Sequence, residues 1–453
     1  QRLERWALVA LFLLAFVPRV AYPVSRPLQW YFRSAQFVEA IQRGDLAGTL
    51  FSEHPGVTVM WAGTLGFLRE YPQYAAEAPG QFAWDREHLE EWLRESAAQD
   101  PLDLLVAGRW WIALAISALI TLSYFPLRLL FGEMIGFFGA LYLAWSPFYV
   151  ALSRQLHPDG LVSSLTFLAL LLFMAWLYAG EKRRYLVASG IAMGLAWLTK
   201  TPAIFLVPTG AVLIALEWWR VRRTVRMPGD PERRPALRLF ALYAAWGVIA
   251  IATFFLLWPA MWFNPMGTLS RMIGEMSVYV ERHTNVNFFM GRPVEDPGAF
   301  FYPVAWLFRS TPLTWFGLVA AALFGWHRQL PFSMAKTKSA TVALLIFGLI
   351  FTLGMTLGAK KFDRYILPVF LALDLVAVLG WWGVAFWLRR RWPATRWTQR
   401  ALLPAWTLGG VALLHGLLGF LHAPYYFTYY NPLMGGSRIA PLVLFAGWGE
   451  GLE

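Results

Sequence analysis

Apolar runs of roughly 20 residues, the length needed to cross a bilayer about 30 Å thick, recur from one end of the chain to the other. They lie near positions 6–22, 104–126, 132–150, 160–179, 185–199, 201–217, 239–262, 301–325, 340–358, 365–388 and 401–421. The pattern predicts an all-α integral membrane protein of about eleven transmembrane helices, forming one domain over residues 1–453. The breaks between the runs alternate in character. One set is short and basic: Glu181-Lys182-Arg183-Arg184, Arg220 to Arg238, Arg328 to Lys338, and Arg389 to Arg400. Lys and Arg concentrate in loops on the cytoplasmic side, so this set, and the N-terminus with Arg2 and Arg5, is expected to be cytoplasmic. The other set holds two long loops, 23–103 and 263–300, the corners at 151–159, Lys200 and Lys360–Arg364, and the tail from His422. These are expected to face outward, with the C-terminal segment. Within the long loops, Arg33 to Arg43, Asp85 to Ala98 and Ser270 to Arg282 mix charged and apolar positions at helical spacing, as interfacial helices do.

Composition agrees with this reading. Hydrophobic residues make up 58% of the chain, above the 45–50% usual for soluble domains. The 25 Trp and 17 Tyr suit aromatic belts at two membrane interfaces. With no Cys, disulfide and thiol chemistry are excluded. The net charge of +12 sits mostly in loop arginines and gives no case for a nucleic-acid partner. The excess of Arg over Lys suggests a prokaryotic source. The first apolar run is too long, and too poorly followed by a small-residue cleavage site, for a cleaved signal peptide. Neither an inverted repeat of the transporter type nor a soluble domain is discernible.

The candidate chemistry gathers in the outer set. Glu53-His54-Pro55-Gly56 forms a polar turn in the first long loop. Ser153-Arg154-Gln155-Leu156-His157-Pro158-Asp159-Gly160 opens the fourth run, Thr199-Lys200-Thr201-Pro202 separates the fifth and sixth, and Lys360-Lys361-Phe362-Asp363-Arg364-Tyr365 precedes the tenth. Each has a purely structural use. Asp159 suits a helix N-cap, Lys200 can reach the interface from between two spans, His54 can sit in a turn, and the tyrosines after His422 can anchor in the interface. Brought to one face, however, Lys200 and Arg364 would bind an anion, for which a lipid phosphate is the obvious source: Lys is a point charge and Arg a bidentate donor. Such cations stabilise charge growing on a departing phosphate, and a carboxylate there can take the proton of an attacking hydroxyl. No convincing metal-ligand spacing occurs, although a divalent metal is not excluded.

These segments together resemble the membrane-embedded GT-C glycosyltransferases, in the branch of protein O-mannosyltransferases and aminoarabinose transferases (glycosyltransferase family 39-like). The resemblance rests on "RSAQFVEAIQRGDLAGTLFSEHPGVTVMWAG", "LSRQLHPDGLVSSL", "WLTKTPAIFLVP", "KKFDRYILPVF" and "PYYFTYYNPLMGG" with "GWGEGLE". It implies inverting transfer of a sugar from a polyprenyl- or dolichyl-phosphate donor to an acceptor hydroxyl at the extracytoplasmic face of the plasma (inner) membrane. The lipid-linked sugar would be the substrate, and no cofactor is expected. It implies that His54 matches the family's His-Pro turn, Asp159 the acidic residue at the start of the fourth span, and Lys200 and Arg364-Tyr365 the positions associated with the donor phosphate. With these, the candidate catalytic residues are Glu53, Asp159 and His54, and the candidate donor-phosphate ligands are Lys200, Arg364, Lys361, Tyr365 and Arg154. One departure matters. Relatives carry an acidic residue, the presumed base, just after the first span and ahead of a Trp-x-x-Arg-Ser element. Here Trp30-Tyr31-Phe32-Arg33-Ser34 is preceded by Tyr22-Pro23-Val24-Ser25-Arg26-Pro27-Leu28-Gln29, with no carboxylate from the start of the first span to Glu39. Either Glu53, Asp45 or Asp159 has taken the role, or the chain is an inactive glycosyltransferase-like subunit of a membrane complex. A lipid transporter is a third reading, supported by span number alone.

Overall fold

The computed structural model describes residues 2–22, 24, 29–51, 55–78, 86–180, 182–224, 236–281, 287–327, 331–391 and 402–445. These fold as helices joined by short turns and one two-stranded antiparallel hairpin, Asn287–Phe289 with Arg292–Val294. Among the described residues, seven helices are long and apolar enough to cross a membrane. Two bent pairs raise the number to nine if each is one span: Glu133–Ala144 with Pro147–Ser153, bent by 65°, and Phe301–Arg309 with Pro312–Trp326, bent by 111°. The protein is therefore a multi-pass membrane protein. Two of the eleven expected runs fall short of this test for identifiable reasons. Arg2–Val20 carries charge near both ends, Glu4 and Arg19 among it, and Arg183–Thr199 has only 17 residues.

The helix starts follow from local chemistry. Asp100, His157 and Thr311 are extended N-cap residues, each followed by Pro in the first helical turn, and each side chain accepts a hydrogen bond from a backbone N–H just inside the helix. The cap satisfies a donor that the helix leaves open, and Pro contributes a preset φ while removing another such donor. The Pro158–Tyr178 helix is the hub: 94% of its most apolar window is buried. It packs against Pro101–Phe131, Arg183–Thr199, Ala335–Thr356 and Leu367–Arg391. Arg238–Leu256 is the opposite case, 17% buried, with Val248, Ile251 and Leu256 exposed. A helix apolar all round yet so little covered by protein is suited to hydrocarbon. Where Pro312–Trp326 crosses Leu367–Arg391, a Cβ on Gly380 would lie 1.9 Å from the Gly317 carbonyl oxygen. Glycine is required there for the two backbones to touch.

The three helices expected in the outer loops form as Gln29–Gln42, Arg86–Glu95 and Pro265–Glu281. The first is more than an interfacial element. Its Trp30, Tyr31, Phe37 and Val38 are buried, and it packs against Val57–Glu70.

Candidate active site

Three distant parts of the chain meet at the N-terminal end of the hub helix. Asp159 sits in that helix's first turn, nearly sealed, with its side chain 2% exposed. Lys200, in the break between Arg183–Thr199 and the turn Thr201–Phe205, donates from Nζ to Asp159 Oδ1 at 2.6 Å. Arg364, in the turn Asp363–Ile366, places Nε 3.1 Å from Asp159 Oδ2. One carboxylate thus carries a cation on each oxygen. Aromatic rings complete the arrangement: Lys200 Nζ lies 4.3 Å from the centre of the Tyr365 ring, and the Arg364 guanidinium 4.1 Å from that of Phe362. Ring faces attract cations, so both positive groups are held on a second side.

His157 closes the cluster. Its Nδ1 accepts from the Asp159 backbone N–H at 3.3 Å. Burial pushes the imidazole down to about 3, against the opposing pull of Asp159. The ring is therefore neutral at physiological pH, and its 3.4 Å approach to Asp159 Oδ2 is a contact rather than an ion pair. Trp30 meets the His157 ring edge-on at 6.3 Å and also covers Gly56. Gly56 has φ +60°, and a Cβ there would lie 2.0 Å from the Trp30 ring. Only glycine fits under that ring with that backbone. Thr58 and Thr199 hydroxyls, 2.7 Å apart, tie the start of the next helix to the residue before Lys200. The first long loop is thereby fastened to the cluster at two points.

Beside the cluster opens a cavity of about 850 Å³. Its walls are almost wholly apolar, with Trp197, Phe205, Phe254, Met261 and Met272 among them. Lys200, Lys360, Thr201 and Tyr365 are the polar residues that line it, and Pro55 of the first long loop lines it too. Ile251 and Phe255 of the lipid-suited Arg238–Leu256 helix line it as well. An apolar cavity with lysine side chains in its wall matches the two halves of a lipid phosphate. No carboxylate is in its wall as described. Among the described residues, no three His, Asp or Glu side chains cluster as metal ligands would.

The sequence-expected residues therefore divide. Asp159, Lys200, Arg364 and Tyr365 come together. Lys361 does not join them: its ammonium donates to Asp296 Oδ1 at 2.5 Å and to the Gly358 carbonyl at 2.6 Å, fastening the segment after the hairpin to the corner before Arg364. Arg154 is fully buried and donates to the carbonyl oxygens of Tyr22, at 2.8 Å, and Pro424. It ties the C-terminal end of the first helix to the C-terminal segment. Glu53 and His54 lie outside the described residues. Asp45 accepts from Gly48 N at 2.9 Å and closes a short turn. The sequence reading passed over His157 and Phe362 as site residues, though both stand inside quoted motifs. Their adjacency to Asp159 and Arg364 was the available signal.

Residues 103–229 match the family model of dolichyl-phosphate-mannose-protein mannosyltransferases. No curated protein sequence matches the chain. Among solved structures, apo ArnT from Cupriavidus metallidurans is similar at a TM-score of 0.52 and 18% identity, over 97% of this chain and 80% of that one. An Archaeoglobus fulgidus oligosaccharyltransferase in apo form is similar at 0.50 and 14%, over 93% of this chain and 58% of that one. At these identities the likeness is one of fold. With the matched segment spanning the hub helix, Asp159 and Lys200, the chain has the fold of the GT-C superfamily of membrane glycosyltransferases.

Proposed function

We propose that the protein transfers a sugar from a polyprenyl-phosphate donor to an acceptor hydroxyl at the extracytoplasmic membrane face. The observation that carries this is the apolar cavity whose wall includes Lys200 and Tyr365, with Asp159 paired to Lys200 and to Arg364. The lipid chain would lie along Phe254, Phe255 and Met272. A sugar-phosphate-lipid diester bears one negative charge, and two cations against one carboxylate leave the cluster with one positive charge. In the reaction the acceptor oxygen bonds to the anomeric carbon while the bond from that carbon to the phosphate oxygen breaks. The lipid phosphate leaves with both bonding electrons, and Lys200, with Arg364 as second cation, stabilises the charge it gains. Asp159 keeps those cations in place. With both its oxygens engaged, it is poorly disposed to accept a substrate proton, so the base is assigned to Glu53, two residues before the cavity-lining Pro55. In this arrangement Arg2–Val20 and Arg183–Thr199 also cross the membrane, giving eleven spans. The basic loops and the N-terminus are then cytoplasmic, and the site and C-terminal segment face outward.

A second reading, an inactive subunit of a membrane complex, is favoured by one observation: the cavity wall as described holds no carboxylate. Purified protein incubated with a radiolabelled polyprenyl-phosphate sugar and candidate acceptors separates the two. The enzymatic reading expects transfer in the wild type, at least 100-fold slower transfer in Glu53→Gln, and unchanged donor binding in that variant. Binding without turnover for every donor, with a fixed partner copurifying, would establish the inactive subunit.

A further inference from the structure

The C-terminal segment "PYYFTYYNP" has no part in the chemistry above, yet it closes on a buried arginine one ion pair away. Arg309, at the end of Phe301–Arg309 and 2% exposed, donates from Nη1 to the carbonyl oxygens of Phe427 at 2.7 Å and Tyr429 at 3.2 Å. Its guanidinium lies 4.0 Å from the centre of the Tyr430 ring and 4.8 Å from that of Phe148. Asn431 secures the segment by donating from its backbone N–H to the Phe308 carbonyl at 2.7 Å and from Nδ2 to the Leu307 carbonyl at 3.2 Å. The remaining direction of Arg309 is the informative one. Its Nε donates to Asp363 Oδ2 at 2.7 Å, while Asp363 Oδ1 accepts from the Arg364 backbone N–H at 2.8 Å. Arg364 in turn meets Asp159, and Asp159 meets Lys200.

The charges alternate along this path: Arg309, Asp363, Arg364, Asp159, Lys200. Four of the five side chains are 12% exposed or less and Arg364 is 16% exposed, so the three ion pairs on this path, Arg309–Asp363, Arg364–Asp159 and Lys200–Asp159, are little screened. The buried Arg309, at the 111° break between two helices, is held by Nη1 on two tail carbonyls and by Nε on one carboxylate. It fixes Asp363, and Asp363 fixes the turn from which Arg364 projects.

We propose that Arg309 and Asp363 are positioning residues for the lipid-phosphate site, setting the Arg364–Asp159–Lys200 geometry, and that residues 425–431 are the template that orients Arg309. The inference rests on the reading of Lys200 as a phosphate-binding group. Its test is a double-mutant cycle on the full chain in detergent, with undecaprenyl phosphate as probe and quenching of tryptophan fluorescence as readout. Asp363→Asn keeps the shape of the side chain and leaves Arg309 in place, so it avoids the folding risk of altering the buried arginine itself. Contacts that act as a unit couple. Asp363→Asn is expected to weaken binding about 5-fold in the wild-type background and less than 2-fold beside Lys200→Ala, a coupling within the range typical of contacting residues. If Lys200→Ala leaves binding unchanged, the phosphate reading itself fails. If Lys200→Ala weakens binding but Asp363→Asn does not, the site stands and the positioning role is refuted. Equal weakening in both backgrounds also refutes it, because a general loss of structure would act in that way.

Discussion

Replacing Asp159 by Asn separates a carboxylate that organises cations from one that takes a proton. Lys200 Nζ stands 2.6 Å and Arg364 Nε 3.1 Å from its two oxygens, and the Asp159 side chain is 2% exposed. Removing one partner of a buried pair typically costs about 3–5 kcal/mol, because the charge left behind has lost its counter-ion. Arg364, 16% exposed, can turn partly toward water, whereas Lys200, 6% exposed, cannot. The lower end, about 3 kcal/mol, is therefore expected. A melting temperature falls by roughly 2–4 °C per kcal/mol in chains of 150–250 residues, and by less in a longer one, so a fall of about 5 °C is the expected reading in detergent. A bound lipid phosphate would then supply the missing anion. Ligand at 100 times its Kd stabilises a protein by about 2.7 kcal/mol, and because the phosphate takes over Asp159's charge, the thermal shift with undecaprenyl phosphate should be larger in Asp159→Asn than in the wild type. An unchanged melting temperature together with an unchanged lipid shift would refute the counter-ion argument. Lost turnover at unchanged stability would instead return the base role to Asp159.

Lys200→Ala removes a charged donor from the cavity wall. Hydrogen bonds to charged groups contribute about 1.5–3 kcal/mol, so binding of a polyprenyl phosphate measured by fluorescence titration should weaken roughly 10- to 100-fold. Equal affinity would show that the phosphate lies elsewhere. His157 gives a pH signature. Its folded-state value of about 3 lies below the ordinary 6.5, so its contribution is fully present above about pH 6.5 and is lost as pH falls toward 3. The wild type should therefore lose melting temperature between pH 6.5 and 4 more steeply than His157→Gln, which has no ring to charge. Parallel pH profiles would contradict the neutral-imidazole assignment.

The sequence was a good guide to the scaffold and an uneven one to the site. The apolar runs are local signals, and so are the polar cap residues Asp100, His157 and Thr311, each followed by Pro; the corresponding helices form, with His157 rather than Asp159 as the cap of the hub helix. Proximity along the chain was less reliable. Arg154 and Lys361 stand next to residues that converge, but Arg154 turns to backbone carbonyls and Lys361 to Asp296. A long cation goes to whichever acceptor the packing leaves within reach, and neither the Pro424 carbonyl nor Asp296 is near in sequence.

From the chain alone came the membrane-spanning all-α architecture, the grouping of polar breaks into two sets, and the suspicion that Lys200 and Arg364 share an anion. Bilayer length and amino-acid hydropathy are properties of short segments, which is why they could be read. Only the tertiary structure decided that Asp159 lies between those two cations, that an apolar cavity of about 850 Å³ opens beside Lys200, and that Arg309 joins the C-terminal segment to the same chain of charges. Ion pairing and cavity shape depend on how the hub helix packs against its neighbours, and that packing brings residue 159 to 200 and 364 without any trace in local pattern.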